Sequence, residues 1–97
     1  MQLRVVLPKL VRRMAEDLDW ASKGFYYDFE TVLFEYTTIL NYVIEIFYLL
    51  PEECPELERQ AIRAIMAFLR GDETRERLKK ELMTILENYK EKTEEEV

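Results

Sequence analysis

The chain predicts an all-α fold: an antiparallel, up-down-up-down four-helix bundle whose second helix is longest and central. Three observations carry that expectation. Two Gly and three Pro among 97 residues are too few breakers for a β-rich or disordered chain. Apolar residues recur at steps of three and four, the spacing of a helical stripe. Gly24, residues 51–55 and Gly71 cut the chain into four segments joined by short links, as antiparallel neighbours require.

Residues 1–7 read as an irregular or loosely helical arm. Leu3, Val5 and Leu7 alternate like a short strand, while Pro8 suits the first turn of a helix. Helix one is expected over 8–23, with Leu7, Leu10, Val11, Met14, Leu18 and Ala21 on one face. Gly24 can take the left-handed conformation just past its end. Helix two is expected over 28–50, with Asp28 as N-cap or first-turn acid. Its stripe is Phe29, Val32, Leu33, Tyr36, Ile39, Leu40, Val43, Ile46, Phe47 and Leu50. Pro51 is expected to end it, because a proline inside a helix removes a hydrogen bond.

Pro55 then opens helix three, expected to reach Arg70. Leu57, Ala61, Ala64, Ile65 and Phe68 should face inward, flanked by Ile62 and Leu69. Gly71 ends it and Asp72 is placed to cap helix four. That helix, expected to reach about Lys90, carries the stripe Leu78, Leu82, Ile85, Leu86 and Tyr89. Residues 1–90 thus make one domain, and 91–97 a charged tail without a stripe.

Composition narrows function. The net charge of −6 argues against broad, sequence-blind coating of DNA. A single cysteine, Cys54, precludes an internal disulfide and fits a reducing, cytoplasmic setting; its place in the 51–55 link suggests partial exposure. No cleavable signal pattern is visible, since charges follow the start at once. The longest uncharged stretch of helix two, residues 36–44, falls well short of the ~20 apolar residues of a membrane span. Abundant Glu, Lys and Arg with scarce Asn and Gln resemble a thermophile bias.

Catalytic signatures are missing. Without His there is no Ser-His-Asp set and no His-ligated metal, and a lone thiol cannot build a thiolate site. Glu52, Glu53 and Glu56 have an E-E-x-x-E spacing, but Pro55 breaks the helical face that would gather them. The tripeptide Arg70-Gly71-Asp72 sits where a helix end and a helix start require Gly and Asp anyway. No cofactor and no metal are expected, and the chain reads as non-enzymatic.

What remains is surface. On the outer half of helix two the ~100° step places Tyr27, Phe34, Tyr42, Tyr48 and Leu49, more bulk than a solvated face needs. Trp20 falls opposite the stripe of helix one, beside Lys9, Arg13 and Glu16. Arg59, Arg63 and Arg70 share an outward line on helix three. The expectation is a partner surface, most simply a two-fold homodimer, with Trp20, Tyr27, Phe34, Tyr42 and Tyr48 as anchors and the three arginines orienting them. The bland alternative is that helix two is ringed by its own neighbours. Charge also segregates: residues 1–13 hold Arg4, Lys9, Arg12 and Arg13 and no acid. Those four, with the helix-three arginines, define the alternative, phosphate contacts to a nucleic acid.

Overall fold

Four helices account for nearly all of the chain. The computed structural model describes residues 2–24 and 28–95, the side chains of 50–53 and 93–95 excepted. In order they are α1 (Leu3–Ser22), α2 (Phe29–Glu53), α3 (Pro55–Leu69) and α4 (Arg75–Glu95), and no strand occurs among the described residues.

The start of α1 corrects the expectation of an arm. Helix begins at Leu3 and runs through Pro8. Leu3 and Val6 are fully buried, three apart on one face, while Val5 is exposed. Burying two such side chains yields ~1.5–3 kcal/mol each, which matches or exceeds the ~3 kcal/mol a proline costs inside a helix. Pro8 deprives only the carbonyl of Arg4, an exposed residue. The Glu58 carboxylate of α3 accepts from the Leu3 N–H at 3.4 Å, so a neighbouring helix supplies the missing cap. Val11, expected inward, is exposed at the edge of the stripe.

The end of α2 is a second correction. Pro51 lies within the helix, which continues to Glu53. The break falls at Cys54, whose φ of −141° and ψ of 73° are those of a residue held out of the helical region by the proline after it. Pro55, not Pro51, is therefore the stop, and it sits in the first turn of α3. Cys54 is buried rather than partly exposed, with Lys92 Nζ 3.9 Å from its Sγ.

Both glycines have positive φ, 76° at Gly24 and 85° at Gly71. At Gly71 the Asp72 N–H donates to the Ala67 carbonyl (2.9 Å) and the Gly71 N–H to that of Phe68 (3.0 Å). This paired closure needs a left-handed residue between. Asp72 pairs with Arg70 at 3.2 Å, and the cap of α4 is Thr74, whose Oγ1 accepts from the Arg77 N–H at 3.2 Å. The helix then continues five residues past the expected end at Lys90.

The core comprises Leu3, Val6, Leu10, Met14 and Ala21 of α1; Val32, Tyr36, Ile39, Val43 and Ile46 of α2; Ala61, Ile62, Ala64, Ile65 and Phe68 of α3; and Leu78, Leu82, Ile85 and Leu86 of α4. The α3 and α4 stripes follow the expected pattern. The α2 stripe is narrower: Phe29, Leu33 and Phe47 are exposed and Leu40 is only half-buried. Packing explains this. Among the described residues α2 and α3 each pack against all three other helices, whereas the backbones of α1 and α4 stay apart. α2 is thus flanked on two sides and backed by α3, and its fourth side faces outward.

Candidate interaction surfaces

Among the described residues, most of the exposed large apolar side chains lie on α2. Phe29 is 39% exposed, Leu33 43%, Phe34 71%, Ile44 47%, Phe47 37% and Tyr48 79%. The Phe47 and Tyr48 rings meet edge to face, 5.7 Å between centroids, forming one aromatic corner. Two threonines between them are turned onto the helix itself. Thr37 Oγ1 donates to the Leu33 carbonyl (2.8 Å) and Thr38 Oγ1 to that of Phe34 (3.1 Å). The result is an apolar stripe bordered on one side by the exposed Glu30, Asn41 and Glu45, with Phe34 standing among these polar residues.

The residues singled out from sequence fall in several places. Phe34 and Tyr48 lie on this face. Tyr42 is half-buried against the core, and Tyr27 lies outside the described residues. Trp20 is 52% exposed on α1, with the Lys23 ammonium 5.9 Å from its ring centroid. Arg59 is exposed and pairs with Glu56 at 3.8 Å. Arg63 and Arg70 line a groove between α3 and α4, apart from the α2 face. Of the phosphate candidates, Arg4, Lys9 and Arg12 are exposed. Arg13 is already occupied: its Nε donates to both oxygens of Asp17, at 3.3 and 3.2 Å.

Sequence reasoning missed a polar knot beneath the surface. The Tyr36 hydroxyl donates to the Asp17 carboxylate, joining α2 to α1. Arg75 donates to Glu35 at 2.8 Å and lies 5.6 Å from the Tyr36 ring centroid, joining α4 to α2. The Tyr36 ring meets Phe68 of α3 edge to face, and the Arg13 guanidinium covers that same Phe68 ring at 4.9 Å. Burial first, then the adjacent Asp17 carboxylate, hold the Tyr36 phenol above its ordinary range, so it remains a donor. These groups border a cavity of about 280 Å³. Chemically the knot is a strut: a protonated phenol and the Arg75–Glu35 ion pair tie α1, α2 and α4, and the ring and cation contacts to Phe68 add α3. The signal was available, because a tyrosine in a core stripe needs a partner for its hydroxyl.

The α3–α4 groove, about 750 Å³, is floored by Ala64 and Ala67 and carries Arg63, Arg70, Arg77 and Lys80. Two acids temper it. Arg77 pairs with Glu81 at 3.2 Å, and Glu73 Oε2 is buried without a hydrogen-bond partner. Burial first, then Glu81, raise the Glu73 carboxyl above its usual range.

Among the described residues no group of three or more Asp, Glu or Cys side chains is placed to hold a metal ion. The segment Phe29–Leu49 is, by length and composition, apolar enough to cross a membrane, with a mean hydropathy of 1.3. The core helix of a soluble protein passes the same test. Comparison with protein families, with curated proteins and with solved structures gave no match.

Proposed function

We propose that this is a small, non-enzymatic interaction or regulatory protein that works in the cytoplasm as a homodimer of antiparallel four-helix bundles. One observation carries the reading: a helix at the centre of the fold leaves Leu33, Phe34, Ile44 and Tyr48 uncovered. Exposed rings of this kind are what a partner buries at the centre of an interface. The thermophile-like composition fits a robust scaffold but does not direct the function.

Sedimentation equilibrium at micromolar concentration tests the proposal. Wild type should sediment as a dimer, and Phe34→Glu should shift to monomer with an unchanged helical circular dichroism spectrum. A wild-type chain that stays monomeric across that range removes the homodimer. Recovery of that monomer on lipid vesicles would assign the face to a membrane surface instead.

The second reading, nucleic-acid binding, draws on the exposed Arg4, Lys9 and Arg12 and on the cations of the α3–α4 groove. Phosphate contacts weaken steeply with salt. Failure to bind a short duplex or single strand at low salt would dispose of it.

A further inference from the structure

We infer that two copies join through an antiparallel pairing of α2, about a two-fold axis passing between Thr38 and Ile39. The inference rests on the homodimer reading and gives it a register. Its basis is the spacing of the outward residues. Phe29, Leu33, Thr37, Leu40, Ile44 and Tyr48 follow steps of four, four, three, four and four, which read the same in either direction. At ~100° per residue they fall in one band about 100° wide, adjoining the buried seam.

A two-fold interface must be complementary to itself, so each residue meets its mirror position on the other copy. Here the facing pairs are Phe29 with Tyr48, Leu33 with Ile44, and Thr37 with Leu40, each summing to 77. Every pair sets apolar bulk against apolar bulk, apart from Thr37, whose hydroxyl is already bonded to its own helix. Phe47 joins Tyr48 at the end, so Phe29 of one copy meets the aromatic corner of the other.

Size and charge point to the same occupant. The exposed parts of Phe29, Phe47 and Tyr48 come to roughly 310 Å², at about 200 Å² per ring. That is over a third of the ~800 Å² each partner buries in a stable interface, before Leu33 and Ile44 contribute. An antiparallel arrangement opposes the two helix dipoles. It also sets Glu30 of one copy level with Phe47 of the other and one residue, ~1.5 Å along the axis, from Tyr48, whose phenol can donate to the carboxylate. A parallel, in-register pairing would set Glu30 against Glu30.

Thiol cross-linking of the full chain reads the register directly. In a Cys54→Ala background, Leu33→Cys and Ile44→Cys are made singly, both at exposed positions. Each is oxidised with copper–phenanthroline, alone and as an equimolar mixture, after circular dichroism confirms the fold. In the inferred register Leu33 faces Ile44, while two copies of either residue are offset by ~16 Å along the axes at 1.5 Å per residue. That offset is beyond disulfide reach. The mixture should therefore give at least ~10-fold more covalent dimer than either variant alone. Efficient self-linking of Leu33→Cys would overturn the antiparallel register and leave the homodimer standing. A sedimenting dimer with no cross-link in any tube would move the interface elsewhere. A monomer by sedimentation would remove both the register and the homodimer.

Discussion

Two faces of one helix divide this molecule. The inner face of α2 (Val32, Tyr36, Ile39, Val43, Ile46) is at most 1% exposed, while the adjoining outer face carries rings as open as that of Tyr48. Both are apolar, and both repeat at steps of three and four. They differ in shape and in polar partners. Four of the five inner residues are β-branched, stiff in a helix and suited to a fixed, close-packed contact. The fifth, Tyr36, has its hydroxyl tied to Asp17. The outer face is built of aromatic rings and Leu, with an Ile at position 44. Rings offer large contact area at the cost of two torsions, a composition favoured where a second surface is to be met. Hydrophobicity alone thus marks burial without saying whether the chain or a partner provides it.

The widest separation between the faces should appear in folding stability. Ile46→Ala opens a cavity in the core and should cost about 2–5 kcal/mol by urea denaturation. Ile44→Ala, two residues away, should change stability by under about 0.5 kcal/mol. The measurement is made at the lowest workable concentration, so that association contributes little. Equal losses at the two positions would mean that α2 is covered on both sides and that the contrast is false. Association should invert the ranking. Phe34→Glu should weaken dimerisation by about 2 kcal/mol, or roughly 30-fold, with monomer stability nearly unchanged.

The two tyrosines sharpen the contrast at the level of single atoms. Tyr36→Phe removes the donor to a charged acceptor in a half-buried setting, at an expected cost of about 1.5–3 kcal/mol. Tyr48→Phe removes a hydroxyl from a 79% exposed ring and should leave folding stability unchanged. If the dimer register is right, that second change weakens association, since Glu30 of the other copy loses a donor. Matching urea midpoints for the two variants would show that the knot around Asp17 adds nothing to the fold.

Much of the fold was legible because it rests on local chemistry. Gly24, Gly71 and Pro55 punctuate the chain where their backbone preferences require, and the stripes of α3 and α4 emerge from spacing alone. What was not legible depended on neighbours. Pro8 looked like a helix start, yet the burial of Leu3 and Val6 against other helices carries α1 past it. Pro51 looked like a stop, but the stop acts one proline later, through Cys54. Phe29, Leu33 and Phe47 shared the period of the core without sharing its burial, because no helix of this chain packs against that side. For the surface itself, periodicity separated Phe34 and Tyr48 from the core. It could not place Tyr42, which the fold draws half inward, nor pair Arg13 with Asp17 in preference to a phosphate. The Tyr36 knot needed four helices in place before its partners could be named.

The smallest expected effect concerns pH and separates the faces once more. Glu73 borders the same cavity as Tyr36 and Glu35, at the end of the inner face, and its carboxyl is raised by burial and by Glu81. A carboxyl raised in the folded state binds its proton more tightly there than in the unfolded chain. Its contribution is therefore fully present below the unfolded carboxylate range and is lost as pH rises through the folded value. Glu73→Gln keeps the shape and removes the titration. The variant should melt slightly above wild type near neutral pH, and the difference should shrink as pH falls through the carboxylate range. Dimerisation should not respond to Glu73→Gln, because Glu73 lines the α3–α4 groove and not the outer stripe of α2. A variant that melts lower at neutral pH would show that the Glu73 carboxylate serves the fold through Arg77, outweighing its burial and its neighbour Glu81.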